Sequence, residues 1–165
     1  MNENYNATIH FLTGNDELDI QLLDIEISTA YLDILSTILG IISAIKAKQL
    51  LLEKIMQQQN CQSQQNSQNQ QSEQNKQQPN TSHPTPSEIA AFASCLGIYV
   101  IFTYTKVSFI RLREVYNNIQ ANTTNFTITP NVNIITGFVY SCIGTLLRTI
   151  GALQRVNEEA QITVL

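Results

Sequence analysis

Residues 16–56 repeat their character every seven positions. Asp19, Glu26, Asp33 and Gly40 form one such row, and Thr29, Ser36 and Ser43 form another. At about 100° per residue in an α-helix, these two rows are neighbours and make one narrow polar stripe. The remaining rows are apolar. Ile20, Ile27, Ile34, Ile41 and Ile55 share one, broken by Lys48, while Leu18, Ile25, Leu32 and Leu39 share the next. Tyr31, Ile38, Ile45 and Leu52 make a third. Together they cover well over half of the helix circumference, whereas an ordinary surface helix carries an apolar stripe nearer ~100° wide. The pattern therefore predicts a helix buried on several sides, with its polar stripe toward solvent. A strict sevenfold repeat further favours left-handed, coiled-coil-like packing against other helices.

Two more helices follow from their caps. Thr85-Pro86-Ser87-Glu88 reads as a capping box with proline in the first turn, and Thr129-Pro130 repeats the cap-then-proline start. Asn15 or Asp16 opens the first helix, where a short polar side chain can hold free backbone amides. Residues 57–84 are rich in Gln, Asn and Ser, with twelve Gln between positions 57 and 78. Such a segment has little apolar surface to offset the entropy of ordering, and it reads as a disordered connector. The expected order is an N-terminal segment 1–15, helix 16–56, connector 57–84, helix 85–121, turn 122–128, helix 129–160 and tail 161–165. Ala7 to Thr13 also carries a short strand-like pattern. The fold class is all-α: three long helices in an antiparallel bundle.

The second helix opens with a run of small residues, Ala90, Ala91, Ala93, Ser94, Cys95 and Gly97. The third carries Gly137, Gly144 and Gly151 at sevenfold spacing beside Ser141, Arg148 and Arg155. Gly inside a helix costs ~1 kcal/mol relative to Ala, so three in one row imply a close helix–helix approach, within the chain or between chains. If helices one and three run parallel, Arg148 lies about as far into its helix as Asp33 does. Arg148 is then expected near Asp33 or Glu26, and Arg111 and Arg113 near the acidic start of helix one.

Charge is scarce and uneven. Only 13% of the 165 residues are charged, about half the usual ~25%. Residues 1–33 hold seven acids and no base, and the rest holds nine bases and six acids, for a net charge of -4. With no Lys/Arg cluster and a pI near 5.0, a nucleic-acid partner is not expected. Three Cys is an odd number, and the opening residues lack a signal-peptide pattern. A secreted, disulfide-stapled domain is therefore not expected either. His10 and His83 have no ligands at metal spacing, and no phosphate loop or nucleophile motif appears. No cofactor, metal, small-molecule substrate or catalytic residue is expected. Cys95 and Cys142 read as small core residues, and Cys61 in the Gln tract as a thiol able to cross-link two chains.

The surface that three helices cannot cover needs neighbours. The leading expectation is a non-enzymatic structural or interaction protein, cytoplasmic or membrane-associated, whose partner is another copy or another helical protein. The alternative is an integral membrane protein with two or three spans and a cytoplasmic Gln-rich loop. Ile89 to Thr105 is seventeen residues without a charge, against the ~20 apolar residues that cross a bilayer.

Overall fold

The computed structural model describes residues 13–64, 84–123 and 127–164, and these form three helices. They are α1 (Asp16–Gln64), α2 (Pro86–Gln120) and α3 (Thr129–Val164). Among the described residues there is no strand. Of the connector expected at 57–84, residues 65–83 fall outside the described residues, as does the Ala7–Thr13 segment apart from Thr13. The helix does, however, continue to Gln64, well into the Gln-rich segment.

The caps act as the sequence implies. Asn15 Oδ1 accepts from the backbone N–H of Leu18 at 3.2 Å. Thr85 Oγ1 accepts from Glu88 N, and Glu88 Oε2 accepts from Thr85 N at 2.7 Å, which closes the capping box. α3 begins at Thr129, the expected first residue, with Pro130 in its first turn. It ends at Val164 rather than 160. α2 stops at Ala121, and Asn122 turns the chain out in the left-handed region at φ 52°.

α2 lies between the other two helices. It packs against α1 on one side and α3 on the other, and α1 and α3 do not approach each other among the described residues. The three helices form a bent layer: a Cβ at Gly97 would lie 3.8 Å from both Ser36 Oγ of α1 and Thr145 Cγ2 of α3, so the outer helices converge over one side of α2 and leave its other side open. Contacts along α1 and α2 run in opposite senses, from Ser43 with Pro86 to Thr13 with Asn118. α3 is likewise antiparallel to α2, with Thr149 beside Ser94 and Cys142 beside Thr105. Hence α1 and α3 are parallel.

The expectation of a solvent-facing polar stripe is overturned. Asp19, Thr29, Ser36 and Ser43 are buried, with Ser36 and Ser43 facing α2, while Asp33 and Gly40 of the same stripe stay exposed. Among the described residues α1 is also not buried on several sides, because α2 is its one neighbour there. Its apolar rows point outward, with Ile34 57% and Ile41 54% exposed, while Ser36 is 9% exposed. The physical reason is close approach: short hydroxyl side chains let two backbones come together and then bond across the gap. Ser36 Oγ donates to the carbonyl of Ala93 at 2.8 Å, and Ser43 Oγ donates to that of Pro86 at 2.6 Å. Thr149 Oγ1 donates to Ser94 O at 3.3 Å across the second interface. A small apolar core, including Leu22, Val100, Val107 and Ile135, fills the remainder.

Candidate functional site: a groove with two charges in an apolar band

Each helix carries a stretch long and apolar enough to cross a membrane, and the buried share of those stretches is 11%, 17% and 11% in α1, α2 and α3. On α1 the band from Ile27 to Ile45 contains Asp33 as its one charge, and on α3 the band from Ile134 to Leu153 contains Arg148 as its one charge. At 1.5 Å per residue these bands are roughly 28–30 Å long, close to the ~30 Å hydrocarbon thickness of a bilayer.

Polar contacts gather at the two ends of this band. At one end Lys46 Nζ donates to Pro84 O at 2.5 Å, and Glu159 accepts from Ser87 and Thr85. At the other, Arg111 Nη2 meets Glu26 Oε2 at 2.8 Å in an ion pair whose side chains are 14% and 26% exposed. Beyond it, the buried Asp19 carboxylate accepts from the backbone N–H groups of Thr13 and Gly14 at 2.9 to 3.3 Å. Gly14 adopts φ 87°, a conformation that a side chain would strain. Asn118 Nδ2 donates to Thr13 O at 2.5 Å and ties this loop to α2.

Between the two ends, one face of the layer is hollow. A groove of about 610 Å³ is lined by Asp33 and Ser36 from α1, Gly97 and Tyr104 from α2, and Thr145 and Arg148 from α3. A second hollow of about 520 Å³ shares Ala90, Ser94 and Arg148 with it and continues along the same face to Ala47 and Arg155. The Tyr104 ring stacks on Phe138, with centroids 5.9 Å apart and planes at 19°. The floor of the groove is low because Gly97 has no side chain. A Cβ there would sit 3.0 Å from Arg148 Nη2 and 3.8 Å from Ser36 Oγ. Arg148 therefore reaches from α3 across α2 toward α1.

The expected charge partners are thus partly realised. Arg111 pairs with Glu26, whereas Arg113 is exposed beside the same end. Arg148 and Asp33 come to one groove, yet they form no ion pair within the chain. The glycine row behaves differently from expectation. Nothing lies within 4 Å of a Cβ built on Gly137, Gly144 or Gly151, so this row makes no close contact among the described residues. The close approach falls instead at Gly97, inside the small-residue run of α2. Sequence reasoning marked that run but did not single out Gly97. Cys142 is buried against Thr105 Oγ1 at 3.2 Å, but Cys95 is exposed, on the side of α2 turned away from both neighbours. Cys61 lies in the last turns of α1, and its side chain is outside the described residues. Among the described residues no three His, Cys, Asp or Glu side chains gather as a metal site.

No protein-family model matches this chain, and neither a curated protein nor a solved structure matches it.

Proposed function

We propose that the chain is a small integral membrane protein whose three helices all span the bilayer, and that it serves as a non-enzymatic assembly element. The observation that carries this reading is the reversed polarity of α1: Ser36 and Ser43 are inside, and Ile34, Ile38, Ile41 and Ile45 are outside. Water drives apolar surface inward, but lipid removes that drive and leaves close packing and interhelical hydrogen bonds to hold helices together. The hydroxyl-to-carbonyl bonds from Ser36, Ser43 and Thr149 are of this kind. The polar contacts at both ends of the apolar band then sit at the headgroup levels.

Lys46, Lys48, Lys54 and Arg155 belong to the end where α1 and α3 finish, and Arg111 and Arg113 to the other. That bias places the first end, with the Gln-rich segment, on the cytoplasmic side. The test is membrane flotation followed by alkaline carbonate extraction of the full chain. The chain should float with vesicles and stay in the pellet. Recovery in the soluble fraction would contradict the proposal and favour a water-soluble oligomer that covers its apolar faces with further copies.

A further inference from the structure

The two open faces of the helical layer differ in kind. One presents bulky side chains from α2, with Phe92, Tyr99, Phe102 and Phe109 all exposed. The other is the groove face, floored by Ala90, Ser94 and Gly97 and bordered by Asp33 and Arg148. Gly144 and Gly151 flank Arg148 at one-turn spacing, and Gly40 follows Asp33 at two turns, so the rims are low as well. Lipid suits the bulky face. It does not suit an acidic and a basic side chain that lack partners among the described residues in an apolar band.

The placement of these charges is self-complementary. Ser36 meets Ala93 and Thr149 meets Ser94, so Asp33, Gly97 and Arg148 share one level within about a helical turn, ~5 Å. Asp33 lies on one outer helix and Arg148 on the other, with α2 between them. A two-fold axis along the membrane normal, passing through the groove face, keeps each group at its level and exchanges left for right. It sets α1 of one copy over α3 of the next. Asp33 of each copy then meets Arg148 of the other, which makes two equivalent ion pairs from one contact.

We propose that the groove face is a homodimer interface, closed by reciprocal Asp33–Arg148 pairs between copies. This rests on the membrane reading above. The occupant is a second copy because the face carries equal and opposite charges at one depth, and its low centre admits another helical layer. Gly144 and Gly151 then find between copies the close contact they lack among the described residues.

Charge reversal in trans tests this. Differently tagged full-length chains are co-expressed and extracted in mild detergent after carbonate washing, and co-purification is measured. Wild type should pair. Asp33→Arg with itself, and Arg148→Asp with itself, should lose at least tenfold of the paired signal. Asp33→Arg with Arg148→Asp should regain it to within about twofold, because that mixture restores both opposite-charge contacts. Pairing of either single variant at the wild-type level overturns the proposal, as does failure of the mixture to recover while both variants remain membrane-embedded. A second readout avoids charge reversal. With Cys61, Cys95 and Cys142 changed to Ser, a Thr37→Cys chain should oxidise to an Ala152→Cys chain, each four residues past its charge and so at one depth, more than tenfold over a Phe102→Cys pair on the opposite face. Equal cross-linking of the two faces, or cross-links to another protein alone, also overturns it. A chain that leaves the membrane on carbonate washing refutes the membrane reading. An embedded chain that stays monomeric refutes the dimer alone.

Discussion

Replacing Glu26 with Gln removes the carboxylate that holds Arg111 across the α1–α2 interface. Fully exposed ion pairs contribute about 0–1 kcal/mol, and removing one partner of a fully buried pair costs roughly 3–5 kcal/mol. The Arg111 and Glu26 side chains are 14% and 26% exposed and the contact is 2.8 Å long, so this pair lies between those limits. A loss of about 2 kcal/mol follows, or ~30-fold in the unfolding equilibrium, since each 1.4 kcal/mol is tenfold. Single changes also disturb neighbours, so the pair is best isolated by a double-mutant cycle with Glu26→Gln, Arg111→Met and both together. Unfolding is followed by helical circular dichroism as denaturing detergent is titrated into mixed micelles. The coupling energy should be about 1.5 kcal/mol. A coupling below ~0.3 kcal/mol would show that the contact does not hold α1 to α2 and that hydroxyl bonds and packing carry the interface.

Four other outcomes follow from particular contacts. Gly97→Leu must push the Arg148 guanidinium aside, because even a Cβ lies 3.0 Å from it, and should cost ~1–3 kcal/mol in the same unfolding assay. Gly137→Ala, where a Cβ meets nothing within 4 Å, should be neutral or stabilising by up to ~1 kcal/mol. Ile41→Lys and Ile143→Lys, both on outward faces, should each lower insertion into microsomes by the equivalent of ~2.5–3.5 kcal/mol; insertion unchanged from wild type would mean these faces do not meet lipid. Thr85→Ala removes half of the capping box and should lower stability by about 1 kcal/mol, read from the loss of helical signal on heating.

Much of this architecture is legible in the residues. Caps are local chemistry, so Asn15 and Thr85-Pro86-Ser87-Glu88 mark two helix starts whatever surrounds them. Periodicity is equally local, and the seven-residue rows of α1 are real rows on the folded helix. What periodicity does not carry is direction. The rows Thr29-Ser36-Ser43 and Ile27-Ile34-Ile41 are opposite sides, but which side meets another helix depends on the surrounding medium. Water would turn the isoleucines inward, and the structure turns the serines inward. The glycines show a similar division. Spacing marks Gly137, Gly144 and Gly151 as a row, yet a row has meaning only against what lies over it, and among the described residues nothing does. Gly97 has no partner at sevenfold spacing. It matters because Arg148 crosses it, a contact between residues 51 positions apart in the sequence. The Arg148–Asp33 approach was legible as equal depth along two parallel helices, and the groove that gathers them needed the intervening α2.

The central claim is that lipid touches the isoleucine faces and not the serine stripe. Nitroxide labels in vesicles measure this directly, at Ile41, Phe102 and Ile143 on outward faces and at Ser36 and Thr149 on buried ones. The outward labels should be relaxed strongly by oxygen dissolved in the bilayer and weakly by an aqueous nickel chelate, and the buried labels should respond weakly to both. Strong relaxation of the Ile41 and Ile143 labels by the aqueous chelate would place those faces in water and contradict the account.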